Sequence, residues 1–354
     1  MKRILVIMIL ICNIFLLAEM ENSLHFYPIL DYSDESSLTG GTAIIYLTRP
    51  EGQDKSVPPS MVKFQLEAGV KGNWSLEFEN EWQLEEGKYA INLPLNLEKQ
   101  KCELYKTGND IDLDIFQKNE FRHFSYSFEM LRRWAKYEFG FTYKGSYYAY
   151  QQLVAESILL TDKELLTAGG WSIGPGLSFQ YNTLNNHYFP VKGLRMQFNM
   201  QTYSEALRSY YTFERYSFRS AYFLKLARLS TWASELKVIT TAGAVPFQET
   251  AALGNELRIF RQGQLADQCL ISLVSEIRSF PFQRAHWRRL GFVVFAEAGQ
   301  VQGNFDEFYL TATHYGFGIG CRYLLNMEEL FTVRFDSGKY KKQYSLDFGA
   351  KEAF

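Results

Sequence analysis

The sequence predicts an all-β protein: a transmembrane antiparallel β-barrel of about sixteen strands with a long loop folded into its lumen. The main observation is a strict alternation of apolar and polar residues, clearest at 193–201, where Leu194, Met196, Phe198 and Met200 alternate with polar neighbours. Successive side chains of a strand point to opposite faces, so such a segment has one apolar and one polar face. The aromatic content of 16% also suits the interfacial aromatic girdles of a membrane barrel.

Composition narrows the class of protein further. The chain has 354 residues, of which 21% are charged, and a formal net charge of −2. Because there is neither a basic excess nor a long charge run, nucleic acid is not an expected partner. No stretch beyond the N-terminal segment approaches the ~18 apolar residues of a spanning helix. A membrane-inserted mature chain must therefore cross as a closed barrel, because open sheet edges leave backbone groups unsatisfied in lipid.

The N-terminus has the pattern of a targeting segment. Lys2 and Arg3 precede an apolar run from Ile4 to Ala18. This run is short for a spanning helix and has the length of the apolar region of a signal peptide. We expect cleavage after Ala18, which divides the chain into a signal peptide, 1–18, and an outer-membrane barrel domain, 19–354.

The cysteines favour neither a lipid anchor nor a cross-linked framework. Cys12 leaves a lipoprotein signal as an alternative, but the preceding Ile11 is not the small residue such a signal needs. The other three, Cys102, Cys269 and Cys321, are odd in number, far apart and without CxxC spacing. Neither a disulfide framework nor a zinc site is therefore indicated.

Alternation recurs along the chain almost to its last residue. The clearest further segments, each with apolar residues at alternate positions, are 64–70, 74–78, 124–130, 216–224, 317–323, 331–335 and 344–350. Bacterial barrels have even strand numbers, and 354 residues less 18 leave 336, or 21 for each of sixteen strands with its connection. The first strand, near 39–48, is expected to pair with the last, near 343–354, to close the barrel.

Polar stretches mark the connections between these strands. Residues 50–59, bounded by two prolines, form a clear loop, and 99–112 form another. Residues 244–267 are the longest irregular region. No linker, low-complexity segment or second domain is indicated, and only residues 19–38 separate the signal peptide from the expected first strand.

The stretch 169–198 carries the first specific motif. It contains a Gly-Pro-Gly sequence and then a pattern that resembles the "YDTRDNxxxPxxG" stretch of the BamA/TamA-type outer-membrane insertase superfamily, also called the bacterial surface antigen family. Both features match the family, the Gly-Pro-Gly entry at Gly174, Pro175 and Gly176, and the longer pattern at Tyr181, Thr183, Asn186, Pro190 and Gly193. Asn182, Leu184 and Asn185 replace its usual Asp, Arg and Asp.

A second group of motifs lies further along the chain. Leu257-Arg258-Ile259-Phe260 resembles the family's "LRGY/F" loop motif, with Ile259 in place of the glycine. The sequence 276–282 resembles the "EYRFPL" strand, and 290–299 resembles "LGxVxFxDxG", with Glu297 at the acidic position. Residues 32–41 resemble the first strand of barrel-only members. The resemblance covers most of the mature chain, and the family's periplasmic repeats are not found in it.

The resemblance implies a non-enzymatic protein of the Gram-negative outer membrane that takes part in inserting or translocating outer-membrane proteins. Its implied partners are outer-membrane lipids, together with nascent outer-membrane proteins or a separate periplasmic protein, and no cofactor is implied. In insertases of this family the seam between first and last strands opens sideways. Phe348, Gly349 and Phe354 are the seam and assembly-signal candidates here, although Gly349 also fits a simple bulge. The alternative is a pore or structural barrel without insertase activity.

Charge arguments single out the loop motif independently. Glu276 and Glu297 fall on neighbouring predicted strands and on their lumen faces. A buried arginine is costly unless it is paired, so Arg258 is expected to bind one or both carboxylates and pin the loop, together with Phe260, inside the barrel. The alternative is that Arg258 is a solvated loop residue.

Catalytic motifs are weak. Gly170 to Gly174 fit the GxSxG pattern around Ser172, but a nucleophile elbow needs a strand-turn-helix context that a glycine-rich strand does not provide. The five histidines show no HxxxH or HExxH spacing, so no metal site is expected. No catalytic residue is assigned.

Overall fold

The structure is a computed structural model that describes residues 20–33, 37–50, 52, 57–150, 169–282, 287–327, 330–350 and 352–354. The predicted signal peptide, 1–18, and the region 151–168 lie outside these residues. Nineteen strands fall within the described ranges, and the pairings between them are antiparallel. They are β1 (Met20–Ser33), β2 (Ser37–Pro50), β3 (Ser60–Gly69), β4 (Trp74–Leu84), β5 (Tyr89–Asn92), β6 (Leu95–Leu104), β7 (Gln117–Trp134), β8 (Tyr137–Tyr150), β9 (Gly169–Asn182), β10 (Gly193–Tyr203), β11 (Phe213–Ala227), β12 (Ser230–Gly243), β13 (Ala251–Ala252), β14 (Ala266–Asp267), β15 (Cys269–Ser279), β16 (Leu290–Gln302), β17 (His314–Asn326), β18 (Phe331–Tyr340) and β19 (Gln343–Ala350).

One large sheet of seventeen strands forms the wall. Apart from the short strands β5 and β6, each wall strand pairs with the next wall strand in the chain, from β1 with β2 to β18 with β19. Strands β5 and β6 each pair with both β4 and β7, so together they fill one position in the wall. The wall therefore has sixteen positions, and the predicted all-β barrel is confirmed. Among the described residues, no helix combines the length and apolarity needed to cross a bilayer.

The two ends of the barrel differ in their connections. At one end, which we call the turn end, the links include the tight turns 85–88 and 135–136 and the segment 183–192. At the other, the loop end, lie the long connections 105–116 and 244–268. Strand β1 begins at the turn end and β19 finishes there, as an even number of wall positions requires.

Strand faces divide as alternation predicts. On β17 the side chains of Phe317 and Ile319 are 65% and 67% exposed on the outer surface. The intervening glycines face the lumen, where a Cβ on Gly318 would meet the Phe295 ring. The same division on β15 exposes Ile277 outward and buries Glu276 inward.

The position of the first strand was predicted wrongly. The segment near 39–48 lies in β2, the second strand, and it pairs with β1 on one side and β3 on the other. The alternation rule fails at β1 because both of its faces carry apolar side chains: Leu24 and Phe26 are exposed, whereas Tyr27 and Ile29 are buried. Most of residues 19–38 therefore belong to the barrel wall and do not form a segment that precedes the first strand.

The end of the last strand also differs from the prediction. Strand β19 finishes at Ala350 rather than continuing to Phe354. Residues 352–354 turn into the lumen, where Glu352 meets Arg322 and Phe354 packs beside Phe223. Two contacts explain why the tail leaves the wall. Glu352 supplies a carboxylate that Arg322 would lack if the tail continued along the wall, and Phe354 is buried beside the Phe223 ring.

Candidate functional site

The long loop 244–268 lies inside the barrel. Its ends are joined by the short ribbon of β13 and β14, and a single turn of 3-10 helix at Leu253–Asn255 follows β13. The loop side chains that enter the apolar cluster of the lumen are Ala251, Leu253, Leu257, Ile259, Phe260 and Leu265. The loop is therefore packed into the barrel interior and is not a solvent-exposed loop.

Arg258 lies at the centre of a buried ion cluster. Its Nη2 is 2.7 Å from a Glu276 oxygen and its Nε is 2.7 Å from a Glu297 oxygen. Its Nη1 is 3.0 Å from Asp336 on β18, and its guanidinium lies 3.8 Å from the centre of the Phe295 ring. The structure therefore brings Arg258 to both glutamates that the sequence singled out and adds a third carboxylate.

The sequence argument missed Asp336. Alternation had already placed this residue on the polar face of its strand, but nothing local connects it with a loop that lies 78 residues earlier in the chain. A backbone contact was also missed: the main-chain nitrogen of Ile259 donates to Glu297 Oε2 at 3.2 Å. Loop backbone and loop side chain are thus held by the same carboxylate.

The cluster extends along the inner wall. Arg278 pairs with Glu276 and lies 3.5 Å from Glu352. Arg322 bridges Asp336 at 2.6 Å and Glu352 at 2.8 Å. Arg334 joins Asp336, at 2.9 Å, to Asp347 on β19. The network thereby ties the loop, five wall strands (β15 to β19) and the 352–354 tail together. Removing one member of such a network leaves a buried charge uncompensated, at a cost of about 3–5 kcal/mol.

The carboxylates keep the loop arginine charged. Burial lowers the pKa of Arg258, but the charges of Glu276, Glu297 and Asp336 outweigh burial, and the net shift of its pKa is upward. A permanently charged guanidinium with several donors can hold three carboxylates at once.

Ile259, which stands where the family motif has glycine, fits against a wall of glycines. A Cβ on Gly316 would come within 2.9 Å of Ile259 Cδ1, and a Cβ on Gly338 within 3.1 Å of Ile259 Cγ2. The bare backbone of β17 and β18 therefore leaves the space that this larger loop residue occupies. Phe260, next along, packs against Tyr340 with ring centres 4.6 Å apart.

A second loop covers the lumen loop from the opposite wall. Arg261 in the lumen loop pairs with Glu103 at 3.0 Å, beside the start of the connection 105–116. Asn109 in that connection accepts from the main-chain nitrogen of Val301 at 3.0 Å and donates to the Ala312 carbonyl at 2.8 Å. Strand β16 and residue Ala312 lie across the barrel from β6 and β7, so the connection 105–116 crosses the loop end.

The seam lies where β1 and β19 come side by side. Among the described residues, backbone hydrogen-bond ladders join every other pair of neighbouring wall strands, but none joins these two. Strand β1 has 14 residues and β19 has 8, so at about 3.3 Å per residue β19 is long enough to flank only part of the β1 edge among the residues that the structure describes.

The predicted seam residues have different positions. Phe348 and Gly349 lie on β19, opposite Phe335 and Arg334 in a register without a bulge. A Cβ on Gly349 would lie 2.9 Å from Arg334 Nε, so its missing side chain makes room for that guanidinium. Phe354 is buried in the lumen beneath Arg278, 4.9 Å from guanidinium carbon to ring centre, and is not part of the strand.

The weak catalytic motif does not form a reaction centre. Ser172 is buried at 1% exposure within β9. A different set, Ser146, His123 and Glu98, has triad-like spacing, with 3.2 Å from His123 Nε2 to Ser146 Oγ and 2.7 Å from Nδ1 to Glu98. These residues lie on paired strands whose amides serve the sheet, so they do not supply the free backbone donors of an oxyanion hole. In the described part of the chain, no group of three potential metal ligands occurs.

Comparison with known proteins agrees with this geometry. A family model described as the Omp85 superfamily domain matches residues 62–350. No curated protein matches the sequence significantly. Among solved structures, BamA from Haemophilus ducreyi lacking POTRA domains 1-3 is similar with a TM-score of 0.57 and 11% identity over 93% of this chain and 69% of that chain.

A second similar structure is CdiB from Acinetobacter baumannii. Its TM-score is 0.51 and its identity 12%, over 92% of this chain and 59% of that chain. This chain thus spans less than two thirds of the CdiB chain. At such identities the likeness is one of fold.

Proposed function

We propose, because this chain belongs to the Omp85 superfamily, that it is a Gram-negative outer-membrane barrel that inserts or translocates outer-membrane proteins through the seam between β1 and β19. The family is the one that the loop and strand motifs predicted. The finer role, and contact with nascent outer-membrane proteins or with a separate periplasmic protein, is our proposal.

The observation that carries the proposal is the uncovered edge of β1. An edge strand offers a row of unpaired amide and carbonyl groups, and an incoming strand can pair with such a row by β-augmentation. A strand of 8 residues beside one of 14 leaves that row partly open within the wall. No nucleotide or other energy source is required for such pairing.

The ion cluster also supports the proposal that the seam between β1 and β19 opens. Arg258 and its partners fix β15, β16 and β18 to the loop, and Ser345 on β19 donates to the Arg258 carbonyl. Among the described residues, the ion pairs of this cluster lie on the loop, on β15 to β19 and on the 352–354 tail, and none of them reaches β1. One flank of the seam is therefore rigidly braced, whereas the other is free of that brace, so the seam is where the wall separates at least cost.

A cross-link across the seam tests the proposal. In a chain whose native cysteines are replaced by serine, cysteines at Phe26 on β1 and at Tyr344 or Leu346 on β19 are joined by bis-maleimides of graded length, because Phe26 lies nearer the turn end of β19 than either partner does. All three side chains are on the outer face and exposed. The matched control joins Ser337 to Leu346, which are register partners on β18 and β19.

The readout is quantitative proteomics of the outer membrane in a deletion strain carrying each variant. We expect the seam-locked chain to fail to restore other barrels or surface proteins, whereas the β18–β19 cross-link restores them. Full restoration by the seam-locked chain would refute seam opening. If deletion removes only this protein from the outer membrane, a structural or pore role without insertase activity is the better account.

A further inference from the structure

The segment 183–192 crosses the turn end of the barrel. It connects β9 to β10, which fill the eighth and ninth of the sixteen wall positions, so β1 lies directly across the lumen. His187 Nε2 lies 3.1 Å from Glu81, and the Tyr188 hydroxyl donates to the Pro59 carbonyl at 3.3 Å. Both contacts are with the far wall.

The crossing segment is held in one shape by its own side chains. Asn186 Oδ1 accepts from the main-chain nitrogens of Tyr188, at 2.9 Å, and Phe189, at 2.7 Å. Asn185 Oδ1 accepts from those of Val191 and Lys192 at 3.0 and 2.8 Å. The asparagines of the sequence motif thus build a rigid strap rather than a loose turn.

Tyr188 enters a buried apolar cluster that we call the seam cluster. Its buried members are Tyr27, Ile29, Ala43, Ile45, Leu47, Met61, Tyr188 and Phe331, with Leu325 and Val333 packed against them. Members on β1, β2 and β3 lie on one side of the seam, and those on β17 and β18 lie on the other. The Tyr188 ring meets the Phe331 ring edge-on with centres 5.1 Å apart.

The neighbouring ring has a different environment. Phe189 packs edge-on against Phe280, with centres 5.4 Å apart, and shares a cluster with Val191 and Leu324. That cluster involves β17 and the residue after β15, which lie on the same side of the seam. Two adjacent aromatic residues of one strap therefore differ in whether they bridge the seam.

We propose that the strap 183–192 is a latch: Tyr188 holds the two flanks of the β1–β19 seam together at the turn end, and the seam opens only when that ring leaves the seam cluster. The proposal rests on the seam opening of the proposed function. Its physical basis is that separating β1 from β18 must split the seam cluster, which exposes apolar surface that the strap now buries. The strap that crosses the turn end of the barrel thereby also holds the seam closed.

The test measures the width of the seam directly. Spin labels are placed at Phe26 and Tyr344, which are exposed on the outer faces of β1 and β19, in the cysteine-free full chain in lipid nanodiscs. Their distance distribution is compared for the unmodified strap, Tyr188→Ala and Phe189→Ala. We expect Tyr188→Ala to add a second, longer population, and Phe189→Ala to keep the original distribution.

An unchanged distribution in Tyr188→Ala would overturn the latch, and so would an equal change in both variants, since that would mean general loosening. If Tyr188→Ala does not insert, Phe331→Ala removes the partner ring and carries the same expectation. The two proposals fail separately. A widened seam in Tyr188→Ala with full function in the seam-locked chain refutes the seam function alone, whereas an unchanged seam in a chain that the lock inactivates refutes the latch alone.

Discussion

At the scale of single residues, Arg258 shows how a buried charge can fix a loop that also packs against an apolar cluster. Three carboxylates from β15, β16 and β18 surround it, and the Phe295 ring covers one face of its guanidinium. Arginine is suited to this position because its donors form a rigid fork, whereas lysine is a point charge on a flexible stem.

Replacement of Arg258 by alanine should therefore destabilise the barrel strongly. The variant leaves three buried carboxylates short of a partner, for an expected loss of about 3–5 kcal/mol. Arg258→Lys should recover only part of this loss. The measurement is the temperature at which the folded band is lost in a heat-modifiability gel. Arg228→Ala, at an exposed arginine in the turn after β11, is the control, and equal behaviour of Arg258→Ala and this control would refute loop pinning.

The fit of Ile259 against the glycine wall gives a second residue-scale prediction. Gly338→Ala places a methyl group 3.1 Å from Ile259 Cγ2 and 3.2 Å from the Arg258 carbonyl. We expect a loss of about 1–3 kcal/mol from overpacking. The loss should be smaller when Ile259 is already alanine, because the two side chains then no longer compete for the same space. Chemical unfolding of the two single variants and the double variant measures this coupling, and strict additivity would contradict the fit.

At the scale of elements, alternation identified most of the wall but not its first strand. Segments such as 317–323 have apolar residues on the lipid side only, and the two-residue period is visible in the sequence. In β1, Tyr27 and Ile29 face the seam cluster while Leu24 and Phe26 face outward, so no period exists to detect. A strand that is apolar on both faces cannot be distinguished by pattern from any other short apolar run.

The crossing connection 105–116 provides the element-scale prediction. Asn109→Ala removes the acceptor for the Val301 amide and the donor to the Ala312 carbonyl. Leaving buried groups without partners costs about 1–3 kcal/mol, and we expect the connection to detach from the far wall. Trypsin should then cut faster after the exposed Lys106 in the purified barrel. Asp114→Ala, at an exposed side chain of the same connection, should leave the cutting rate as it is. An equal rate in Asn109→Ala would contradict the bridging role.

At the scale of the whole molecule, the sequence indicated the fold class, the loop motif and two of the three carboxylates around Arg258. The third, Asp336, and the partners of Tyr188 depend on which walls face one another across the lumen. Which walls face one another depends on the number of wall positions and on how the sheet curves, because these bring residues that are distant in sequence together across the lumen. Lumen-facing residues can be identified from a pattern of period two, but their partners cannot.

The occupied lumen also imposes an order on folding. The loop 244–268 and the strap 183–192 both cross the interior, and both carry side chains that are buried against walls on the far side. Threading either through the narrow mouth of a finished cylinder would drag Arg258 or the strap's asparagines past apolar walls, and chains avoid such threading. The loop and strap must settle onto a still-open sheet. The last step of folding is then the meeting of β1 and β19.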